Sequence, residues 1–269
     1  MKTQISVIGC GWLGLPLAKK LISEGYLVHG STTSASKLNT LSDFKISPYL
    51  ITLNENGISG NFEAFLTSSE TIIINIPPGL RKQPNKNHVA EIKHLMLAIE
   101  HSTIKNVLYI SSTSVFQNEI GCPTISADTK PNATTSSGRQ LIEIENMLLE
   151  NSKFNTTILR FGGLIDNQRH PSKMLSGKTN VAHPDAPINL IHKTDCVDII
   201  HKIIEHKLWN TTLLAAYPKH ISKAVYYSEY CKQHNLPLPL YNTTEKSKGK
   251  IIDSSKMVQL LNYTFKIEP

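Results

Sequence analysis

Six residues near the start of the chain have the types and spacing to hold a phosphorylated ligand. Gly9-Cys10-Gly11-Trp12-Leu13-Gly14 follows the apolar run Ile5-Ser6-Val7-Ile8 and leads into Leu15-Pro16-Leu17-Ala18. In a Gly-x-Gly-x-x-Gly turn the first glycine makes the tight bend from strand to helix. The second leaves room for a pyrophosphate against the backbone, and the third lets the helix pack closely on its strand. The helix start then offers free N–H groups and the positive end of its dipole to the anion. Gly9, Gly11, Trp12, Leu13 and Gly14 are therefore candidate cofactor-binding residues.

A second group lies after the next strand-like run, Tyr26-Leu27-Val28-His29-Gly30. A cofactor with a free ribose 2′-hydroxyl usually meets an Asp or Glu here, but the chain has none between Glu24 and Asp43. It carries Ser31, Thr32, Thr33, Ser34 and Lys37 instead, a set that suits a 2′-phosphate. The expected cofactor is NADP, with NAD as the alternative. The strong apolar run Thr71–Ile76 ends at Pro77-Pro78-Gly79, which places Pro77 on the rim of the same site. A further run, Asn106–Ile110, opens into Ser111-Ser112-Thr113-Ser114-Val115-Phe116, where hydroxyls at a strand end can meet a substrate oxygen or a nicotinamide. The four arginines, Arg81, Arg139, Arg160 and Arg169, each fall near an expected strand end. Guanidinium binds carboxylate and phosphate in a bidentate fashion, so a small anionic ligand is in keeping with them, as are ordinary salt bridges.

The elements that must position these residues alternate along the chain. A buried-type strand, a helix with Leu17, Ala18, Leu21 and Ile22 on one face, and a stop at Gly25 form the first unit. Strand and helix runs then repeat, with a helix expected from His88 to His101. The fold class predicted is α/β: a Rossmann-type, doubly wound parallel sheet with a small mixed α/β C-terminal substrate region. Residues 1–165, rejoined by 189–214, form the NAD(P)-binding part, and 166–188 with 215–269 the substrate side.

Composition narrows the function classes. The 269 residues are 40% hydrophobic and 18% charged, as in an ordinary globular protein. The net charge of +7 is spread without a basic run, which argues against nucleic acid as a partner. No stretch reaches the length of a membrane span. The four scattered cysteines suit reduced thiols, and the histidines show no metal-ligand spacing, so a cytoplasmic protein without a metal site is expected.

These motifs together resemble the extended and atypical short-chain dehydrogenase/reductase superfamily, its NAD-dependent epimerase/dehydratase group, and within that the YeeZ-like subgroup. The family's strand-end motif Ser-Ser-x-x-Val-Tyr-Gly is matched by Ser111-Ser112-Thr113-Ser114-Val115-Phe116-Gln117, which puts Ser112 at the catalytic serine or threonine position. Ile158–Leu164 with Arg169-His170-Pro171, then Ile188–Val197, then Lys248–Asp253 with Leu260–Tyr263, resemble the later family segments. The resemblance implies hydride transfer on a small alcohol, carbonyl or sugar-like substrate.

One departure bears on that chemistry. The superfamily's Tyr-x-x-x-Lys pair, in which lysine lowers the tyrosine pKa, is absent. Arg139 falls at the lysine position and Thr135 at the tyrosine position. Arg139 can still bind a ribose hydroxyl. Thr135 cannot serve as the acid, because an aliphatic hydroxyl titrates far above tyrosine's value of about 10. Proton transfer would then come from His170, Tyr217 or a water held by Ser112. A second functional class, a non-catalytic NADP(H)-binding redox or cofactor sensor, fits the same departure.

Overall fold

The computed structural model describes residues 3–269. The sheet strands and principal helices alternate: β1 Gln4–Ile8, α1 Gly14–Ser23, β2 Leu27–Thr32, α2 Leu38–Asp43, β3 Ser47–Leu50, α3 Phe62–Leu66, β4 Thr71–Ile74, α4 His88–Glu100 and β5 Asn106–Ser112. They continue with α5 Ser136–Glu150, β6 Asn155–Phe161, α6 Lys193–Glu205, β7 Thr211–Ala215, α7 Lys223–Gln233 and α8 Ser255–Leu261. Among the described residues, seven strands form one sheet in the order β7-β6-β5-β4-β1-β2-β3. The pairs β1–β2, β1–β4, β2–β3 and β4–β5 run parallel.

This is the doubly wound Rossmann arrangement that the strand and helix runs predict. The order reverses between β1 and β4, and ligands of such sheets bind beyond the strand ends at that switch point. The reasons are local. All four residues of β4 are buried, the pattern of a strand covered on both faces. Leu17, Ala18 and Leu21 place one buried stripe on α1, and Gly25, with a φ of +90°, closes the helix with its N–H on the Ile22 carbonyl.

The chain divides into two compact units. The first takes in the chain up to Val115, Ala133–Arg160 and Val197–Thr212; the second comprises Phe116–Asn132, Phe161–Cys196 and Leu213–Pro269. Sequence patterning groups 116–132 with the nucleotide-binding part, whereas here it belongs to the second unit. Backbone pairing explains the grouping: Glu119–Ile120 pairs antiparallel with Lys248–Gly249, and Thr124–Ile125 pairs parallel with Ile251–Ile252. The second unit adds a parallel pair, Gly163–Ile165 with Leu190–His192, and a small core of Ile165, Ile188, Leu190, Tyr226 and Tyr227. No helix among the described residues is long and apolar enough to cross a membrane.

Candidate functional site

The glycine turn is built by the absence of side chains. Gly9 has a φ of +98°, and a Cβ there would lie 2.4 Å from the Asn75 carbonyl oxygen. A Cβ on Gly14 would lie 2.1 Å from the Gly9 carbonyl oxygen, so this glycine brings α1 against the turn. At Gly11 a Cβ would meet nothing within 4 Å. Two residues close the turn: the Gly9 N–H donates to Ser31 Oγ at 3.0 Å, and Asn75 Nδ2 donates to the Gly9 carbonyl at 3.0 Å. Asn75 is absent from the sequence-based set; its position directly after β4, at the switch point, is the signal that could have found it. Leu13 occupies the N-cap position of α1 without a side-chain cap, and the first turn holds no acidic residue. A helix end of this kind, next to a glycine with open space beside it, fits a pyrophosphate. Trp12 is partly exposed and Leu13 buried in the same turn.

At the end of β2 the hydroxyls divide by role. Ser31 is buried and holds the glycine turn. Thr32 is buried as well, and its Oγ1 accepts the Ser34 N–H at 3.2 Å. Thr33 and Lys37 are exposed, Lys37 at the end of the 3₁₀ turn Ala35–Lys37. Pro77 is also exposed, beyond the end of β4.

Ser112 ends β5 partly exposed, its Oγ accepting the Ser114 N–H at 3.1 Å. Beneath it lies a buried ionic network. Glu145 falls on the core-facing stripe Leu141-Ile144-Leu148 of α5, where an unpaired carboxylate would be costly. Arg160 answers it from β6, with Nη2 at 2.7 Å and Nε at 3.0 and 3.1 Å, and Ser111 Oγ donates at 2.5 Å. Arg160 is thereby committed to the core and withdrawn from the arginines available to an anionic ligand. Burial, with Glu145 nearby, pushes the Tyr109 phenol far above its usual range, which removes it as a proton donor.

The two residues at the Tyr-x-x-x-Lys positions start α5. Thr135 is its N-cap, the hydroxyl accepting the Gly138 N–H at 3.2 Å. Arg139 is exposed in the first turn. Gly138 allows the close approach, since a Cβ there would be 2.7 Å from the Ser114 carbonyl.

His170 belongs to the second unit, and both its ring nitrogens are engaged. Nδ1 accepts the Ser172 N–H at 3.3 Å, so the neutral ring carries its proton on Nε2, which faces Tyr226 Oη at 2.8 Å. The ring stacks on Tyr230 at 3.7 Å between centroids, and Tyr230 stacks on His234 at 3.9 Å. Burial, with lesser contributions from His234 and Lys173, lowers its pKa to about 4. The arrangement is that of a packed core histidine. Just before it, Asp166 pairs with Lys193 and accepts the backbone N–H groups of Gln168 and Arg169 at 3.0 and 2.6 Å. Its burial would raise its pKa, but Lys193 and those N–H groups prevail and bring it to about 2. Tyr217 packs edge-on against Phe265.

No family model matches the chain. It is 28% identical to protein YeeZ of Escherichia coli K12 over 267 residues, covering 97% of this chain and 95% of YeeZ. Among solved structures it is similar to UDP-glucuronic acid 4-epimerase from Bacillus cereus in complex with NAD, with a TM-score of 0.79 and 17% identity over 99% of this chain and 92% of that one. It is similar also to UDP-glucose 4-epimerase from Thermotoga maritima, with a TM-score of 0.79 and 14% identity over 99% and 94%. The chain is similar to YeeZ over nearly its whole length and shares its Rossmann fold with these two epimerases.

Proposed function

We propose that the protein binds a nicotinamide dinucleotide at the glycine turn and is an oxidoreductase of the epimerase/dehydratase type, acting on a small alcohol, carbonyl or sugar-like substrate. The observation that carries this reading is the contrast among three glycines. Gly9 and Gly14 have no space for a side chain, while Gly11 faces open space beside an uncapped helix start. The N–H groups at that start would hold the pyrophosphate. Thr33 and Lys37, exposed after β2 where no carboxylate stands, would favour a 2′-phosphate and hence NADP over NAD. Arg139 would reach a ribose hydroxyl, and Ser112 would hold the substrate oxygen. The bound cofactor would supply or accept the hydride.

A second reading, a non-catalytic NADP(H) sensor, is favoured by one observation: the Thr135 hydroxyl, at the family's tyrosine position, caps α5 and is no acid. The two are separated by following NADPH oxidation with a panel of aldehydes, ketones and keto-sugars. The enzyme reading expects turnover on at least one, reduced about 10²–10³-fold in Ser112→Ala, the usual loss for one oxyanion donor. Tight NADPH binding with no turnover on the panel supports the sensor.

A further inference from the structure

Two segments of the second unit lie side by side and hold apolar side chains out into water. The Gly177 N–H and the Ser176 hydroxyl both donate to the Pro237 carbonyl, at 3.1 and 3.0 Å. The Leu240 N–H donates to the Lys178 carbonyl at 2.8 Å, and the Leu240 carbonyl accepts the Val181 N–H at 2.9 Å. Residues 176–181 and 237–241 therefore run together as one paired ribbon, closed by the bridge between Val181 and Tyr241.

On this ribbon Pro239 is buried, while Leu238 and Leu240 on either side of it are 43% and 63% exposed, the alternation of an extended chain that turns both leucines outward. Pro237 and Pro239 fix the backbone beside them, so the leucines are held out with little freedom left to lose. Met174, on the helical turn Ser172–Leu175 that leads into the ribbon, is 65% exposed. Met174 and Leu240 are the two most exposed large apolar side chains among the described residues. A single exposed leucine needs no explanation, but three such side chains on adjoining segments mark a docking surface.

The charge on these segments is of one sign. Lys173, Lys178 and Lys232 are exposed, and the stretches 167–184 and 230–244 contain no Asp or Glu. Of the acids that flank them, Asp166 is paired with Lys193 and Asp185 accepts the Ser247 hydroxyl, while Glu229 and Glu245 are exposed. Apolar tips among lysines suit a surface that is anionic outside and apolar just beneath, which is a bilayer of acidic phospholipid. A second copy of the chain would instead set the same lysines against one another across a two-fold contact.

We propose that this face docks the protein reversibly on anionic phospholipid, with Met174, Leu238 and Leu240 entering the headgroup boundary and Lys173, Lys178 and Lys232 meeting the lipid phosphates. The contact lies on the membrane and is independent of the nucleotide reading.

Co-sedimentation with sucrose-loaded vesicles tests it, with equal parts of phosphatidylglycerol and phosphatidylcholine set against phosphatidylcholine alone. The wild-type protein should bind the mixed vesicles about tenfold or more tighter than the neutral ones, and added salt should narrow the gap. Met174→Gln with Leu240→Gln keeps every charge and should lose about tenfold on the mixed vesicles. Lys173→Gln with Lys178→Gln keeps the apolar side chains and should lose about as much. All four sites are exposed, so both variants should keep the wild-type thermal midpoint. Wild-type protein that stays in the supernatant with both kinds of vesicle would overturn the proposal. Undiminished binding by the Met174/Leu240 variant would overturn it as well, assigning the adsorption to the net charge of +7. Retention of the wild type, but not of that variant, on an immobilised amphipathic Glu/Leu peptide, with no binding to vesicles, would give the face to a protein partner and overturn the lipid assignment.

Discussion

The glycine turn of the first unit and the Lys250 stretch of the second are held in opposite ways. Around Gly9, Gly11 and Gly14 the position is made by backbone approaching backbone, and the open space is at the one glycine whose added Cβ would meet nothing. Around Lys250 it is made by side chains and short strand pairs that fix one residue on both sides. The first arrangement has no room for added atoms at Gly9 and Gly14, whereas the second rests on the hydrogen bonds of one side chain, Asn189. Substitutions at the turn should therefore act through space, and substitutions elsewhere through the side-chain chemistry they remove.

A complete loss of nucleotide binding is expected at the turn. Gly9→Val forces a β-branched residue to a positive φ and against the Asn75 carbonyl, so it should lower stability by about 1–3 kcal/mol and abolish NADPH binding. Gly11→Val should also abolish binding but leave the thermal midpoint nearly unchanged, because its side chain enters open space. Calorimetric titration with parallel thermal melts separates the two. Equal destabilisation by both would remove the contrast.

Next is the ionic network under β5. Arg160→Met leaves Glu145 buried and unpaired, which should cost about 3–5 kcal/mol in urea denaturation. Pairing it with Glu145→Leu should recover most of that loss. A single-variant cost below about 1 kcal/mol would mean that the network is solvated.

A smaller change is expected at the end of β2. Lys37→Ala should weaken NADPH about tenfold and leave NADH untouched, a difference of about 1.4 kcal/mol. If both weaken alike, Lys37 attracts the dinucleotide as a whole and does not read a 2′-phosphate.

A pH-dependent effect concerns Asp166, whose pKa is lowered to about 2 in the folded protein from an ordinary value of 3.8. A depressed carboxylate stabilises the fold above the unfolded value and loses that contribution as pH falls through the folded one. Asp166→Asn should thus be less stable than wild type at neutral pH, and the gap should close between about pH 4 and pH 2. A gap that persists at pH 2 would assign the effect to lost packing.

Much of the first unit could be read in the sequence because its signals are short-range. The turn spans six consecutive residues, the β4 run is apolar throughout, and the α1 stripe repeats at helical spacing. The third strand is less clear locally: sequence places it at Tyr49–Leu53, whereas β3 is Ser47–Leu50 and Thr52–Asn54 turns back in a hairpin with Gly57–Ser59. Pro48 lies within β3, an edge strand, where proline is tolerated. The role of Arg160 had a local clue, a carboxylate on the apolar stripe of α5, that a count of arginines passes over. The fixing of Lys250 had none. Asn189 reaches Lys250 and Ile252 across 61 and 63 residues of sequence, and the strand that pairs beside them comes from 124–125.

The central claim, a dinucleotide held at the glycine turn by backbone N–H groups and read as NADP by Lys37 and its neighbours, is tested most directly by calorimetric titration of the wild-type protein with NADPH and with NADH. The account predicts that one NADPH binds per chain, about tenfold or more tighter than NADH, a gap of roughly 1.4 kcal/mol. Absence of binding by either nucleotide would contradict the site itself, and tighter binding of NADH would contradict the 2′-phosphate assignment.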